Sequence, residues 1–408
     1  MSMQQANGRR LRVAVLMGGN SSERPISLST GRMIVEALDP SRYEVTAIDT
    51  REIGALAQAD IPAAIAGDGA AGGPPPIESR DERAEQPVAA LQSLHAHALG
   101  DTLAATGSRP DVVFIALHGK GGEDGCIQGM LELIGLPYTG SGVLASALAM
   151  DKAMSKQLFR ANGLPMIPDV QVDRGNMPGA AELIRHVHGT LGDLPVFVKP
   201  NAEGSTFGCA LVRKEEELSE AVRRALSYDE KALIERYVRG VEITVGVLER
   251  PGDAGDVQPL APIEIVPKSE YYDYESKYAT GGSDHIIPAR LPAPILATAQ
   301  ELAVRCHRIL GCRGMSRTDI IVAGDRLFIL EVNTIPGMTP TSLLPQAAEH
   351  AGIAFPALLD RLISCAVARS SAAAPIQEAV VQVGRAGSSP CCHEAAGAGA
   401  RAEKESAV

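Results

Sequence analysis

The side chains with the clearest chemical potential lie in one stretch, Arg317-Thr-Asp-Ile-Ile-Val-Ala-Gly-Asp-Arg-Leu-Phe-Ile-Leu-Glu-Val-Asn333. Two apolar, β-branched runs flank Gly324–Asp325, the pattern of a hairpin. A turn centred on Asp325 sets Asp319 opposite Glu331 and Arg317 opposite Asn333. Period-two alternation sends these four side chains to one face, and Ile320, Val322, Phe328 and Leu330 to the other. Two opposed carboxylates, roughly 5 Å apart at Cβ, repel unless a cation lies between them. Asp319, Glu331 and Asn333 offer the hard oxygens that suit Mg²⁺, which keeps water ligands and adds phosphate oxygens. The alternative is a solvent-facing hairpin with unrelated charges. Against it, Asn333 runs into Thr-Ile-Pro-Gly-Met-Thr339, a turn-forming loop able to present backbone N–H groups.

Three further segments carry candidate chemistry. Val196-Phe-Val-Lys-Pro-Asn-Ala-Glu-Gly-Ser-Thr-Phe-Gly208 reads as a strand ending in Lys199 and followed by a Gly/Ser loop. Such loops expose amides to phosphate oxygens, and the lysine adds a point charge; an ordinary hairpin turn is the plain alternative. No Walker A or GxGxxG fingerprint is present. In Ala232-Leu-Ile-Glu-Arg-Tyr-Val-Arg-Gly-Val-Glu242, strand-end carboxylates a few residues apart could accept from an adenine amino group and ribose hydroxyls. Four tyrosines crowd into Tyr271-Tyr-Asp-Tyr-Glu-Ser-Lys-Tyr278, half of the eight in the chain. That density suits a lid over a pocket, with Lys277 available to a phosphate; a structural tyrosine cluster is the other reading.

The elements that must position these groups follow from periodicity. Arg12–Met17 reads as a strand, Gly18–Ser22 as a turn and Ile26–Leu38 as a helix, with further strands at Tyr43–Ile48 and Asp111–Leu117. Alternating strands and helices predict an α/β domain over 1–150. Residues 54–76, rich in Ala, Gly and Pro, read as a surface insertion. A second unit, 151–241, holds the strands Val196–Lys199 and Ala232–Tyr237 and a helix at Glu215–Leu226. A third, 242–368, holds a helix at Ile295–Leu310 and the acidic hairpin. From 369 to 408 the composition turns to Ala, Gly and Ser without periodicity, which predicts a disordered tail.

Length and charge narrow the class. At 408 residues the chain exceeds one compact core. The net charge of −11, with no dense Lys/Arg block, argues against a nucleic-acid binder. No apolar run reaches the ~18 residues of a membrane span, and the polar start leads directly into a strand rather than reading as a secretory signal. Seven cysteines lack CxxC spacing; Cys126, Cys209, Cys306 and Cys312 read as small buried hydrophobes, consistent with a reducing cytoplasm. The pair Cys391–Cys392 with His393 lacks further ligands.

In their order along the chain these motifs resemble the ATP-grasp superfamily and, within it, the D-alanine–D-alanine ligases. The resemblance covers about residues 11–365. It rests on Gly18-Gly-Asn-Ser-Ser-Glu-Arg with Ile26-Ser-Leu-Ser, Ala116-Leu-His-Gly-Lys-Gly-Gly-Glu-Asp-Gly125, Leu136-Pro-Tyr-Thr-Gly-Ser-Gly and Met150-Asp-Lys. It continues through Lys199-Pro with Glu203-Gly-Ser, Tyr272-Asp-Tyr-Glu-Ser-Lys-Tyr278 and Glu331-Val-Asn-Thr-Ile-Pro-Gly-Met-Thr. Departures are Phe207, the residues Val332 and Ile335 around the acidic motif, and a long insertion over 54–100; none removes a candidate ligand.

The resemblance implies a Rossmann-like N-terminal domain followed by a two-subdomain ATP-grasp fold, α/β at first and α+β in the C-terminal half. It implies that Lys152, Lys199 and Lys277 contact ATP phosphates, and that Glu235, Tyr237, Val238 and Glu242 line the adenosine pocket. Asp319, Glu331 and Asn333 would hold two Mg²⁺ ions, with Mn²⁺ able to substitute. Glu23 would receive the ammonium of the first D-alanine, beside His118, while Ser205 and Tyr278 link to Glu23 and close the lid. Arg317 and the Gly337 amide would stabilise the oxyanion, and Ser342 and Leu343 would bind the second D-alanine's carboxylate. It further implies a cytoplasmic homodimer serving peptidoglycan precursor synthesis. Rival expectations are a D-alanine–D-lactate ligase, another ATP-grasp carboxylate–amine ligase, or a nucleotide-binding regulator without catalysis. The lid tyrosine favours D-alanine over D-lactate by resemblance, and retention of the acids and lysines argues against lost catalysis.

Overall fold

The computed structural model describes residues 9–51, 109–204, 207–252, 255–267 and 283–385, with side chains to residue 370. The expected insertion, Ser205, and the lid segment with Lys277 and Tyr278 lie outside the described residues, as does the Cys391–Cys392–His393 group.

An unbroken apolar run makes β1 (Leu11–Met17), which pairs in parallel with β2 (Tyr43–Asp49) and β3 (Val112–Ile115) in the order β2-β1-β3. Strands enclosed on both faces read as continuous hydrophobic runs, as β3 does with all four residues buried. Helix α1 (Arg24–Ala37) begins with proline in its first turn, where the missing N–H costs nothing. Helices α2 (Cys126–Leu133), α3 (Val143–Met150) and α4 (Lys152–Ala161) follow. The Asp151 carboxylate caps α4 by accepting from Met154 N–H at 2.9 Å, and this fixes where Lys152 leaves the helix. Cys126, expected among buried hydrophobes, is exposed at the first position of α2.

The second sheet is antiparallel, combining β4 (Asp169–Asp173), β5 (Val196–Pro200), β6 (Ala210–Val212) and β7 (Lys231–Arg236) in the order β4-β7-β5-β6. Helices α5 (Ala180–Leu191) and α6 (Glu215–Tyr228) cover it, burying Leu183, Val187, Leu218 and Val222 against Val196, Val198 and Ile234. Three glutamates in the first turn of α6 complement its dipole.

The third sheet joins β8 (Val241–Glu249), β9 (Val257–Pro259), β10 (Ile263–Pro267), β11 (Ser283–Ile286), β12 (Met315–Ala323) and β13 (Arg326–Asn333). Its order is β11-β10-β8-β12-β13, with β9 also on β8. Helix α7 (Ala293–Leu310) packs Ala299, Leu302, Ala303 and Cys306 against it. Helices α8 (Leu343–His350) and α9 (Phe355–Arg385) close the order. Leu343, Leu344, Leu358 and Leu362 share one hydrophobic cluster with the buried β1 and β3 residues, so segments far apart in the chain have a common core.

The described residues up to Arg369 form one unit, and the chain from Ser370 a second. Order was expected to end at residue 368, yet α9 continues to Arg385.

Candidate active site

The β12–β13 hairpin has the register that its turn requires at the acidic end: Arg317 faces Asn333 and Asp319 faces Glu331. Beyond Asp319 the register slips, and Ile320 pairs with Ile329 instead of Leu330. This β-bulge corrects the expected facing of the apolar residues. Leu327 and Ile329 join Ile320 and Val322 in the core, while Leu330 turns to the same cavity as Asp319 and Glu331. Phe328 likewise lies outside that core cluster. A bulge places two consecutive residues opposite one partner and re-aims the strand.

Asp319 is nearly enclosed and heavily coordinated. Arg317 donates to it from Nε and Nη2 at 3.1 Å each, Asn333 Nδ2 donates at 3.1 Å, and Thr244 Oγ1 donates at 2.5 Å from β8. Because the Asn333 amide N–H₂ points to Asp319, its carbonyl oxygen points away. Among the described residues no three His, Cys, Asp or Glu side chains form a metal cluster. The group here is two carboxylates and one amide, a hard-oxygen donor set that fits Mg²⁺ when phosphate and water complete the shell.

Two separate elements, α4 and β5, bring lysines to this region. Lys152 Nζ lies 3.3 Å from Glu331 Oε2 and donates to the Glu203 carbonyl at 2.8 Å. Lys199 Nζ, at the end of β5, lies 2.8 Å from Glu235 Oε2 on β7. Burial disfavours the Lys199 charge, but Glu235 and Glu331 outweigh it and raise its pKa. Burial likewise opposes the Glu235 charge, yet Lys199 and Lys156 hold the carboxyl at about 2.

Two cavities flank the hairpin. One, of about 450 Å³, is lined by Lys199, Glu235, Tyr237, Val238, Glu242, Asp319, Leu330 and Glu331. The other, of about 460 Å³, is lined by Glu23, His118, Arg317, Asn333, Gly337, Ser342 and Leu343. Lys152, Glu203, Gly204 and Glu331 belong to both walls, so the cavities meet there. Both volumes suit small ligands. All the expected site residues that are described line one cavity or the other.

Glu23 is 5% exposed at the start of α1, and two glycines make room for it. A Cβ on Gly119 (φ +72°) or on Gly204 would come within 3.0 Å of Glu23 Oε2. His118 meets Thr30 Oγ1 at 3.2 Å through Nε2; burial pushes its pKa down against the pull of Glu23. Ser342 precedes α8, and its Oγ accepts from Thr339 N–H at 3.1 Å. The helix start after Ser342 presents the Leu343 and Leu344 amides, a setting that favours a carboxylate.

Sequence reasoning left several wall residues out. Glu123 accepts from Gly119 N–H at 2.6 Å. Burial, with Glu23 adding repulsion, pushes its carboxyl up to about 8. Its place in the His-Gly-Lys-Gly-Gly-Glu-Asp-Gly motif was a signal, but one that names no role. Glu203 lies in the Glu-Gly-Ser motif, which names no role for it, and His285 lines the second cavity without a local signal, contacting Gln346 Oε1 at 3.1 Å. Lys156 lies one turn beyond Lys152 and was visible only as a helical lysine.

Comparison with known proteins gives one answer throughout. Residues 12–141 match the family described as D-ala D-ala ligase N-terminus, and 158–364 match D-ala D-ala ligase C-terminus. The D-alanine–D-alanine ligase of Syntrophobacter fumaroxidans is 45% identical over 360 residues, covering 88% of this chain and 98% of that protein. That of Trichlorobacter lovleyi is 42% identical, covering 88% and 95%. The Bacillus anthracis D-alanine–D-alanine ligase crystallised with ATP superposes with a TM-score of 0.65 at 28% identity, covering 88% of this chain and 99% of that one. The ligase of Coxiella burnetii gives 0.68 at 26% identity, covering 92% and 99%. The chain belongs to the D-alanine–D-alanine ligase family and has its ATP-grasp fold.

Proposed function

We propose that this chain joins two D-alanines into D-alanyl-D-alanine, converting ATP to ADP and phosphate through a D-alanyl phosphate intermediate, for peptidoglycan precursor synthesis. The observation that carries this reading is the meeting of two cavities at Lys152, Gly204 and Glu331, beside Arg317. A phosphoryl group passed from a nucleotide on one side to a carboxylate on the other must cross there.

An amine does not displace oxide from a carboxylate, so the first D-alanine must be activated. In this reading Glu23 receives its ammonium beside His118, and Lys152 and Lys199 neutralise the phosphates during transfer. Asp319, Glu331 and Asn333 would hold two Mg²⁺ ions, or Mn²⁺ in their place, which screen phosphate charge when bound. The second D-alanine sets its carboxylate at Ser342 and Leu343, and its amine attacks the acyl phosphate. The tetrahedral oxyanion so formed meets Arg317 and the Gly337 amide, donors already held by the hairpin and its loop. Glu235, Tyr237, Val238 and Glu242 would hold the adenosine. Ser205, Lys277 and Tyr278 would complete the site, linking to Glu23, meeting phosphate and excluding water.

The reading extends to a cytoplasmic homodimer, and to functional units at 1–150, 151–241 and 242–368. Among the described residues no single helix is long and apolar enough to cross a membrane. Phosphate release with D-alanine, ATP and Mg²⁺ tests the activity; release no faster than without D-alanine sinks it. Mass spectrometry of products formed with D-alanine and D-lactate in competition tests the acceptor: dominant D-alanyl-D-lactate overturns that choice. Sedimentation equilibrium at the mass of one chain overturns the dimer.

A further inference from the structure

Lys156 follows Lys152 by one helical turn, so both ammoniums leave the same side of α4. Lys152 reaches the junction of the cavities. Lys156 is 1% exposed, and its Nζ lies 3.0 Å from Asp169 Oδ1 and in contact with Glu235 Oε1. Asp169 and Glu235 are direct partners across the β4–β7 ladder. Like charges at directly opposed positions of adjacent strands repel, and Lys156 lies between them as the neutralising group. Arg160 also pairs with Asp169, so that acid has a second cation. Glu235 has Lys156 on one oxygen and Lys199 on the other.

A buried ammonium carries a large desolvation cost, and a pair of apolar residues would join α4 to β7 without it. What an apolar pair cannot do is hold Glu235 ionised on the wall of the nucleotide-sized cavity. An ionised carboxylate is an acceptor only, with about four lone-pair sites; the lysines occupy part of that capacity and leave the remainder for a donor. Adenine carries an amino group at position 6, which donates. Guanine and hypoxanthine carry an oxygen there, which a carboxylate repels. A protonated or rotated Glu235 would lose that discrimination, since a carboxylic acid donates as well as accepts.

We propose that Lys156 is a positioning residue that fixes Glu235 as an acceptor-only group selecting 6-amino over 6-oxo purine nucleotides. This rests on the reading that the cavity lined by Glu235 receives ATP. The low pKa of Glu235, held near 2 by Lys199 and Lys156 against burial, agrees with it.

The test compares ATP with inosine triphosphate, which carries an oxygen in place of the 6-amino group and a proton on N1, in the full-length wild type, Lys156→Arg and Lys156→Met. Lys156→Met should raise KM for ATP while KM for inosine triphosphate changes little, so the ATP preference in kcat/KM falls at least tenfold. Lys156→Arg, which keeps the charge, should retain most of the preference. Where Lys156→Met alone does not fold, Lys156→Met/Asp169→Asn removes one acid together with the base and carries the same measurement. An unchanged ATP preference in a folded Met variant overturns the proposal, as does equal loss in Lys156→Arg and Lys156→Met. A wild type that releases no phosphate with ATP and D-alanine would instead overturn the underlying ligase reading.

Discussion

Glu123→Gln isolates one ionisation in the substrate cavity. In the ligand-free protein the Glu123 carboxyl sits near 8, pushed there by burial and by Glu23, whereas its ordinary value is 4.5. The folded protein therefore holds a proton that the unfolded chain has released between those two values. With one more proton bound in the native state, stability falls as pH rises, by about 1.4 kcal/mol per unit. The contribution is complete below pH 4.5 and lost once pH passes 8. A gap of 3.5 units corresponds to roughly 5 kcal/mol. Glu123 keeps part of its surface open to the cavity, and water there weakens the penalty, so a fall of roughly 2–4 kcal/mol is expected. Glutamine keeps an oxygen for the Gly119 N–H but cannot ionise. Urea unfolding of both proteins at pH 5, 6.5 and 8, without nucleotide or metal, should show the variant gaining on wild type by that amount across the series. Parallel stability curves would refute the burial argument.

Glu331→Gln should abolish turnover while leaving ATP analogue binding in place by calorimetry; near-normal kcat would refute its place in the metal and phosphate site. Arg317→Met should lower kcat by about 10²–10³-fold, the usual cost of one oxyanion donor, with little change in KM for ATP; a smaller loss would mean that the Gly337 amide suffices. Gly204→Ala places a methyl within 3.0 Å of Glu23 Oε2, so KM for D-alanine should rise at least about tenfold, and an unchanged value would place the first ammonium elsewhere. Arg369 donates to the carbonyls of Gly140 and Tyr138 at 2.9 and 2.8 Å; Arg369→Ala should cost roughly 1–3 kcal/mol of unfolding free energy, whereas a stop after Ser370 should leave melting and activity nearly unchanged.

Much of the site could be read in the sequence because its key groups depend on local rules. A Gly-Asp turn and two period-two strands suffice to oppose Asp319 to Glu331 and Arg317 to Asn333, with no knowledge of the rest of the chain. The same is true of Lys199 at a strand end, where short-range pattern and position coincide, whereas Lys152 came only through the family motif Met150-Asp-Lys. The family motifs then supplied the substrate expectation that no single segment carries.

Three things depended on the assembled chain. The slip after Asp319 turns Leu330 toward the cavity, because β12 is clamped by β8 on its other edge and β13 must bulge to keep both its pairing and its core contacts. The shift at Glu123 depends first on burial by the whole fold and then on Glu23, a hundred residues away in sequence. Lys156 is an ordinary helical lysine until the β4–β7 ladder brings Asp169 and Glu235 to its ammonium. Propensity and periodicity are properties of neighbouring residues, so sequence determines elements and the faces they present. Desolvation and charge pairing sum over everything within a few ångströms, and only tertiary structure decides what that includes.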